Sequence, residues 1–159
     1  MYKDKIKSTA ELLKEVKKLK KRKKTVGFTN GCFDLLHAGH AKYLQDAKKK
    51  CDALIIAINS DSSVKKIKGE KRPINSQKAR QIVIAALESV DFVVLFKETT
   101  PLKLIQTVKP DILIKGADWK KKDIVGAKEV SSNGGKIIRI SFLKGYSTSA
   151  IIKKISSKI

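Results

Sequence analysis

The chain has 159 residues, 42% of them hydrophobic and 32% charged, which is the length of one domain with enough apolar mass for a core of its own. Its formal net charge at pH 7 is +21, from 36 lysines and arginines against 15 aspartates and glutamates. No apolar run reaches the about 18 residues that span a bilayer, residues 1–24 hold no apolar signal-peptide core, and Cys32 and Cys51 have no CxxC spacing; these features speak against a membrane protein, a disulfide framework and a zinc ribbon, and predict a cytoplasmic protein.

Ser8-Thr9-Ala10-Glu11 has the spacing of a capping box. Leu12, Leu13, Val16 and Leu19 recur behind it at helical intervals, which predicts an amphipathic helix over 9–21. Lys20 to Lys24 is a charged link into a strand, Thr25 to Thr29, and Ala41 to Cys51 reads as a helix. Ala53 to Asn59 is an apolar run of strand length, and residues 61–67 form a short helix. Lys65 to Arg72 carries five basic residues with Gly69, ends at Pro73, and reads as a mobile basic loop. Asn75-Ser76-Gln77 opens a helix through Glu88, and Asp91 to Phe96 is a third strand. Thr100 or its neighbour caps a helix beginning at Pro101, a favoured first-turn position. Ile112 to Ile114 is a fourth strand, followed by the loop Lys115 to Trp119. Asp123 to Ser132 reads as helical and is stopped by Asn133-Gly134-Gly135. Lys136 to Ile140 is a fifth strand, and Ser147 or Thr148 caps a last helix ending near Ile155.

Strands alternating with helices predict an α/β fold, a doubly wound sheet of five parallel strands with right-handed crossovers in a single domain over 1–159. There is no internal repeat and no linker. Ligands of such sheets sit beyond the carboxyl ends of the strands. The loops there are Gly31 to Leu36, Asn59 to Asp61, Lys97 to Thr100, Lys115 to Trp119 and Ser141 to Ser147.

The run Gly31-Cys32-Phe33-Asp34-Leu35-Leu36-His37-Ala38-Gly39-His40 stands between a strand and a helix, where parallel α/β proteins bind phosphates. His37 and His40 are three residues apart and share a face, leaning toward a ligand at the helix N-terminus, while Gly39 removes a side chain where that ligand comes close. Only Asp34 and Cys32 are at hand as further ligands, so no protein-held metal is expected. Cys32 reads as an inert small residue of the turn and Cys51 as a buried helix end. The cations around Lys68 and Arg72 serve a phosphate ligand or are a solvated lysine run. Arg80 either meets the ligand or braces a helix. Ser147 and Thr148 present hydroxyls and free amides suited to phosphate, and an ordinary cap uses the same atoms. Trp119 is a base contact or a core filler. The charge suggests nucleic acid, but only Arg22, Arg72, Arg80 and Arg139 are arginine and aromatics are few, so no specific nucleic-acid partner and no membrane partner is expected.

The GxFDxxHxGH turn resembles the HxGH signature of the nucleotidyltransferase superfamily, in the form of its cytidylyltransferase-like branch. Asn59-Ser60-Asp61, Lys68-Gly69, Arg72-Pro73, Gly116-Ala117-Asp118-Trp119, Gly134-Gly135 and Tyr146-Ser147-Thr148-Ser149 follow in the order of one subfamily. That subfamily is the bacterial D-glycero-β-D-manno-heptose 1-phosphate adenylyltransferases, which this chain resembles over roughly residues 24 to 158. Two departures are Ser149 for a more usual threonine and Gly116-Ala117-Asp118-Trp119 for Gly-Gly-Asp-Tyr.

The resemblance implies a Rossmann-like domain that moves AMP from ATP, with its Mg²⁺, to a sugar phosphate. His37, His40 and Lys68 would be catalytic. Asn30, Gly31, Phe33, Arg72, Gly116, Asp118, Ser147 and Thr148 would bind nucleotide, and Asp34, Asn59 and Asp61 the sugar phosphate. It also implies a homodimer and, with about 24 residues ahead of the first strand, the form not fused to a kinase. A glycerol-3-phosphate or other alcohol-phosphate cytidylyltransferase is the alternative, with an FMN adenylyltransferase behind it.

Overall fold

The run Ala53–Asn59 is buried along its whole length, and a strand hides consecutive side chains that way only with helices on both faces. It is β3 of a six-stranded, fully parallel sheet in a computed structural model that describes residues 1–158. The others are β1 (Ile6–Lys7), β2 (Val26–Gly31), β4 (Phe92–Phe96), β5 (Ile112–Gly116) and β6 (Lys136–Ile140), in the order β1-β4-β3-β2-β5-β6. Five of them are the expected strands. The sixth corrects the expected count: Ile6 and Lys7 pair with Val93 and Val94 of β4, and two residues are too short to show any periodicity.

Eight α-helices are described: α1 (Tyr2–Lys5), α2 (Thr9–Lys21), α3 (Ala38–Lys48), α4 (Asp61–Lys68), α5 (Gln77–Ala85), α6 (Leu102–Val108), α7 (Ala127–Ser132) and α8 (Thr148–Ser156). Among the described residues no helix is long and apolar enough to cross a membrane. The capping box opens α2 as its spacing predicts, with Glu11 N–H donating to Ser8 Oγ and Ser8 N–H to the Glu11 carboxylate. Leu12 and Val16 of α2, with Leu104, Ile105 and Val108 of α6 and Val130 of α7, pack on Phe28, Ile55 and Leu113. Tyr43, Leu44 and Ala47 of α3, with Ile84 and Ala85 of α5, cover Leu54, Ile56, Ile58 and Ile114 on the other face. Each Val, Leu, Ile or Phe side chain among them, once buried, contributes about 1.5–3 kcal/mol.

Several boundaries differ from expectation: β2 and β5 run on to Gly31 and Gly116, so that Lys115 lies at the end of a strand and is not in the loop, and α5 stops at Ala85 short of Glu88. Helix α3 starts at Ala38, because His37 itself is the cap. Lys65, Lys66 and Lys68 lie on α4, so the basic segment is helical until Gly69, whose φ of +95° ends the helix. The expected helix over 123–132 is a 3₁₀ turn at Lys121–Asp123 and a separate α7, parted by Gly126 at φ +85°.

Strand β2 is central: the chain leaves it for β3 on one side and returns to β5 on the other. A crevice therefore opens above the carboxyl end of β2. Its rim is held by Arg80 of α5, only 2% exposed. The guanidinium donates to the carbonyls of Cys32 (2.6 Å), Asn59 (2.8 Å) and Asn75 (3.1 Å) and to Asp61 Oδ1 (2.9 Å). Of the two readings of Arg80, bracing is the one its contacts describe. Arg80→Met is expected to cost about 3 kcal/mol or more of unfolding free energy in a urea titration, since each buried acceptor left unpaired costs about 1–3 kcal/mol. A loss under about 1 kcal/mol would remove this role.

Candidate functional site

The crevice takes its shape from the turn after β2. His37 has extended backbone and caps α3: its Nδ1 accepts from His40 N–H at 3.3 Å, leaving Nε2 to carry the proton of the neutral ring. His40 sits on the first turn of α3 with its ring stacked on His37, centroids 3.8 Å apart and planes 20° apart. Burial, then the neighbouring His37, pushes the His40 pKa down to about 4; burial lowers His37 too. His40 Nδ1 is buried with no partner among the described residues. The pair is thus a source of neutral N–H donors at a helix N-terminus. A Cβ on Gly39 would lie 3.0 Å from the His37 ring and 3.2 Å from Tyr146 Cβ, so it is the His37 ring and Tyr146 that lie against this glycine.

Asp34, 3% exposed, ties the turn to the segment before α5. Its carboxylate accepts from Arg72 Nε at 2.6 Å and from the N–H groups of Ile74 and Asn75 at 2.9 Å. Burial works to raise the Asp34 pKa; the Asn75 and Ile74 amides and the Arg72 guanidinium outweigh it and hold the carboxyl below its ordinary value. Asp34 therefore lines the crevice with its oxygens occupied, and through them it aims Arg72.

The crevice encloses about 460 Å³. It brings together Asn30 and Gly31 from the end of β2, Phe33 and Asp34 from the turn, His40 from α3 and Asn59 from β3. Lys68, Arg72, Gly116 and Thr148 complete the expected residues that line it. His37, Asp61, Asp118 and Ser147 stand outside its wall: His37 behind His40, Asp61 against Arg80, Asp118 exposed beside Gly116, and Ser147 as the cap of α8, accepting from Ala150 N–H. Asn59 Nδ2 donates to Ser63 Oγ at 3.0 Å, so its amide also braces α4. A Cβ at Gly116 would meet the Phe142 ring at 2.1 Å and Asp118 Oδ1 at 2.5 Å, so any larger residue there would have to push those two exposed side chains aside. Trp119 lines the crevice and is 48% exposed, so it is not core filler. Burial raises the Cys32 pKa, which keeps that thiol protonated.

Lys115 is the lining cation that the sequence left unassigned. It ends β5, donates from Nζ to Asn30 Oδ1, and burial pushes its pKa down to about 8 against the pull of Asp118. Its one local signal was a lysine closing a strand that is otherwise apolar. No group of three or more His, Cys, Asp or Glu side chains suited to a metal is assembled among the described residues. The cations Lys68, Arg72 and Lys115 face an opening that holds one neutral histidine and one paired carboxylate, a setting suited to a polyanionic ligand.

A family model described as cytidylyltransferase-like matches residues 28–154. The chain is 54% identical over 157 residues to the bifunctional protein HldE of Campylobacter jejuni subsp. doylei, covering 99% of this chain and 32% of that one. It is 52% identical over 148 residues to the bifunctional protein HldE of Cronobacter sakazakii, covering 93% and 31%. The chain thus spans about a third of the length of the curated relatives it matches. Among solved structures, a lipopolysaccharide core biosynthesis protein of Thermoplasma volcanium GSS1 is 32% identical with a TM-score of 0.64, covering 76% of this chain and 99% of that one. A pantoate-beta-alanine ligase of Francisella tularensis, solved with beta-gamma ATP and beta-alanine, shares the fold at 20% identity and a TM-score of 0.64.

The His40 environment gives a direct test. In an NMR titration its ring protons are expected to stay at their neutral position down to about pH 5, an ordinary histidine having titrated near 6.5. Because the folded pKa is depressed, stability is full above the unfolded value of about 6.5 and falls as pH drops from there toward 4. A His40 titration near 6.5 would show that the ring is not buried in this way.

Proposed function

The chain belongs to the cytidylyltransferase-like family of nucleotidyltransferases, and we propose that it transfers AMP from ATP to D-glycero-β-D-manno-heptose 1-phosphate, giving ADP-heptose and pyrophosphate for lipopolysaccharide or surface polysaccharide. The observation that carries the substrate class is the 32% identity to a protein named for lipopolysaccharide core biosynthesis, nearly all of whose length this chain covers. The ordered motifs from Asn59-Ser60-Asp61 to Tyr146-Ser147-Thr148-Ser149 support the heptose phosphate within that class. A reaction drawing on ATP in this way belongs to the cytoplasm.

An oxygen of the sugar's phosphate attacks the α-phosphorus; the bond to the β-phosphate breaks and pyrophosphate carries away the electron pair. The attacking oxygen is already anionic, so no side chain must remove a proton, and a neutral His40 is no handicap. Its task, with His37 beside it, is to donate N–H groups as charge shifts toward the leaving phosphates. Lys68 and Arg72 neutralise those phosphates, Arg72 from the position Asp34 gives it. Ser147 and Thr148 open α8, a nine-residue helix whose N-terminal amides favour anions. In this reading Gly116 and Asp118 meet the base and ribose and Asn59 and Asp61 the sugar; of these Gly116 and Asn59 line the crevice, while Asp61 is held by Arg80. Mg²⁺ would come with the ATP rather than from a protein cage and would supply charge neutralisation at the triphosphate.

Pyrophosphate release is the assay, with ATP or CTP against heptose 1-phosphate or glycerol 3-phosphate. ATP with heptose 1-phosphate is expected to turn over fastest, and faster turnover of CTP with glycerol 3-phosphate would replace the substrate reading. His40→Ala is expected to lower kcat by about 10²-fold or more, the usual loss for one charge-stabilising donor. Its melting temperature should hold within a few degrees. Near-normal turnover of that variant would remove the histidine from the mechanism.

A further inference from the structure

Strand β5 buries Ile112, Leu113 and Ile114 and then turns a lysine into the crevice. Three other cations bound or line this region. Arg72 is paired with Asp34 at 2.6 Å, Arg80 with Asp61 at 2.9 Å, and Lys68 is solvent-exposed. Lys115 alone is turned inward without a carboxylate within 4.0 Å among the described residues; its hydrogen-bond partner is the neutral Asn30 amide. Desolvating an ammonium without a counter-charge is costly unless an anion arrives to meet it. The crevice floor is where such an anion is delivered, at the junction of β2 and β5.

We propose that Lys115 is a further catalytic residue, whose Nζ hydrogen-bonds an anionic oxygen of a substrate phosphate at the reacting centre. The assignment rests on the phosphate-transfer reading above and adds to it a cation that the family motifs did not supply. Asn30 orients the ammonium from β2, and the ammonium is mostly protonated at pH 7. The charged groups around it are Asp118 from the loop after β5, Arg139 in register on β6, and His40, Lys68, Arg72 and Asp34 across the crevice. Of these, only Asp118 pulls the lysine pKa upward. A phosphate bound at Nζ adds a second negative charge and must raise that pKa further.

Two measurements test the proposal. In the wild-type chain, the Lys115 ammonium is titrated by NMR with and without saturating inorganic phosphate. Its pKa is expected to rise by one unit or more, and an unmoved titration overturns the proposal whatever the enzyme's substrate. In Lys115→Met, which keeps length and removes charge, kcat/KM is expected to fall about 10²-fold with the melting temperature held. Binding of ATP alone and of heptose 1-phosphate alone then shows which phosphate the lysine meets. If neither affinity falls and kcat is unchanged, the assignment is wrong. If the wild-type chain turns over neither substrate pair while phosphate still shifts the Lys115 titration, the substrate reading fails and the anion site stands.

Discussion

The buried guanidinium of Arg80 is the constraint on which the site's geometry depends. It leaves α5 and collects the carbonyls that end β2 and β3, the carbonyl before α5, and a carboxylate at the start of α4. Those are three separate stretches of chain, and a parallel sheet leaves such carbonyls unpaired where its strands stop. Water would otherwise satisfy them, and a wet, loose rim would not hold the turn after β2 in one place. A planar group with five donors answers several acceptors at once, which a lysine could not do.

The second tie, Asp34 with Arg72 and the Ile74 and Asn75 amides, works outward from that rim. It uses a carboxylate from the histidine turn to fix a cation 38 residues further along the chain. The effect is a preorganised positive wall beside two stacked imidazoles kept neutral by burial. Preorganised donors need no rearrangement as charge develops, which is where most of the advantage over water lies. In the proposed reaction the labour is divided: the histidines would supply directed N–H groups, and Arg72, Lys68 and Lys115 charge.

Much of this was legible in advance. The alternation of apolar runs with helical periods led to five of the six strands, and Ser8 with Glu11 marked the start of α2. The histidine turn and ten of the residues that line the crevice were singled out in advance because glycines, histidines and hydroxyls at element ends carry a local meaning. What was missed shares a property. Ile6-Lys7 is a strand only because β4 lies beside it. Lys115 looked like any of the many lysines until β2 placed Asn30 against it.

The sequence by itself therefore determined the element types, the parallel α/β class and the chemistry offered at the strand ends. These follow from side-chain period, capping and backbone freedom, each acting over a few residues. The tertiary structure alone decided which charges are neutralised and which are left for a ligand. Asp34 is withdrawn to Arg72, Asp61 is drawn to Arg80, and Lys115 is met by the neutral Asn30 amide with no carboxylate against it. That division depends on contacts between residues 19 to 85 positions apart and on how far each group is removed from water, and neither quantity is carried by a stretch of sequence.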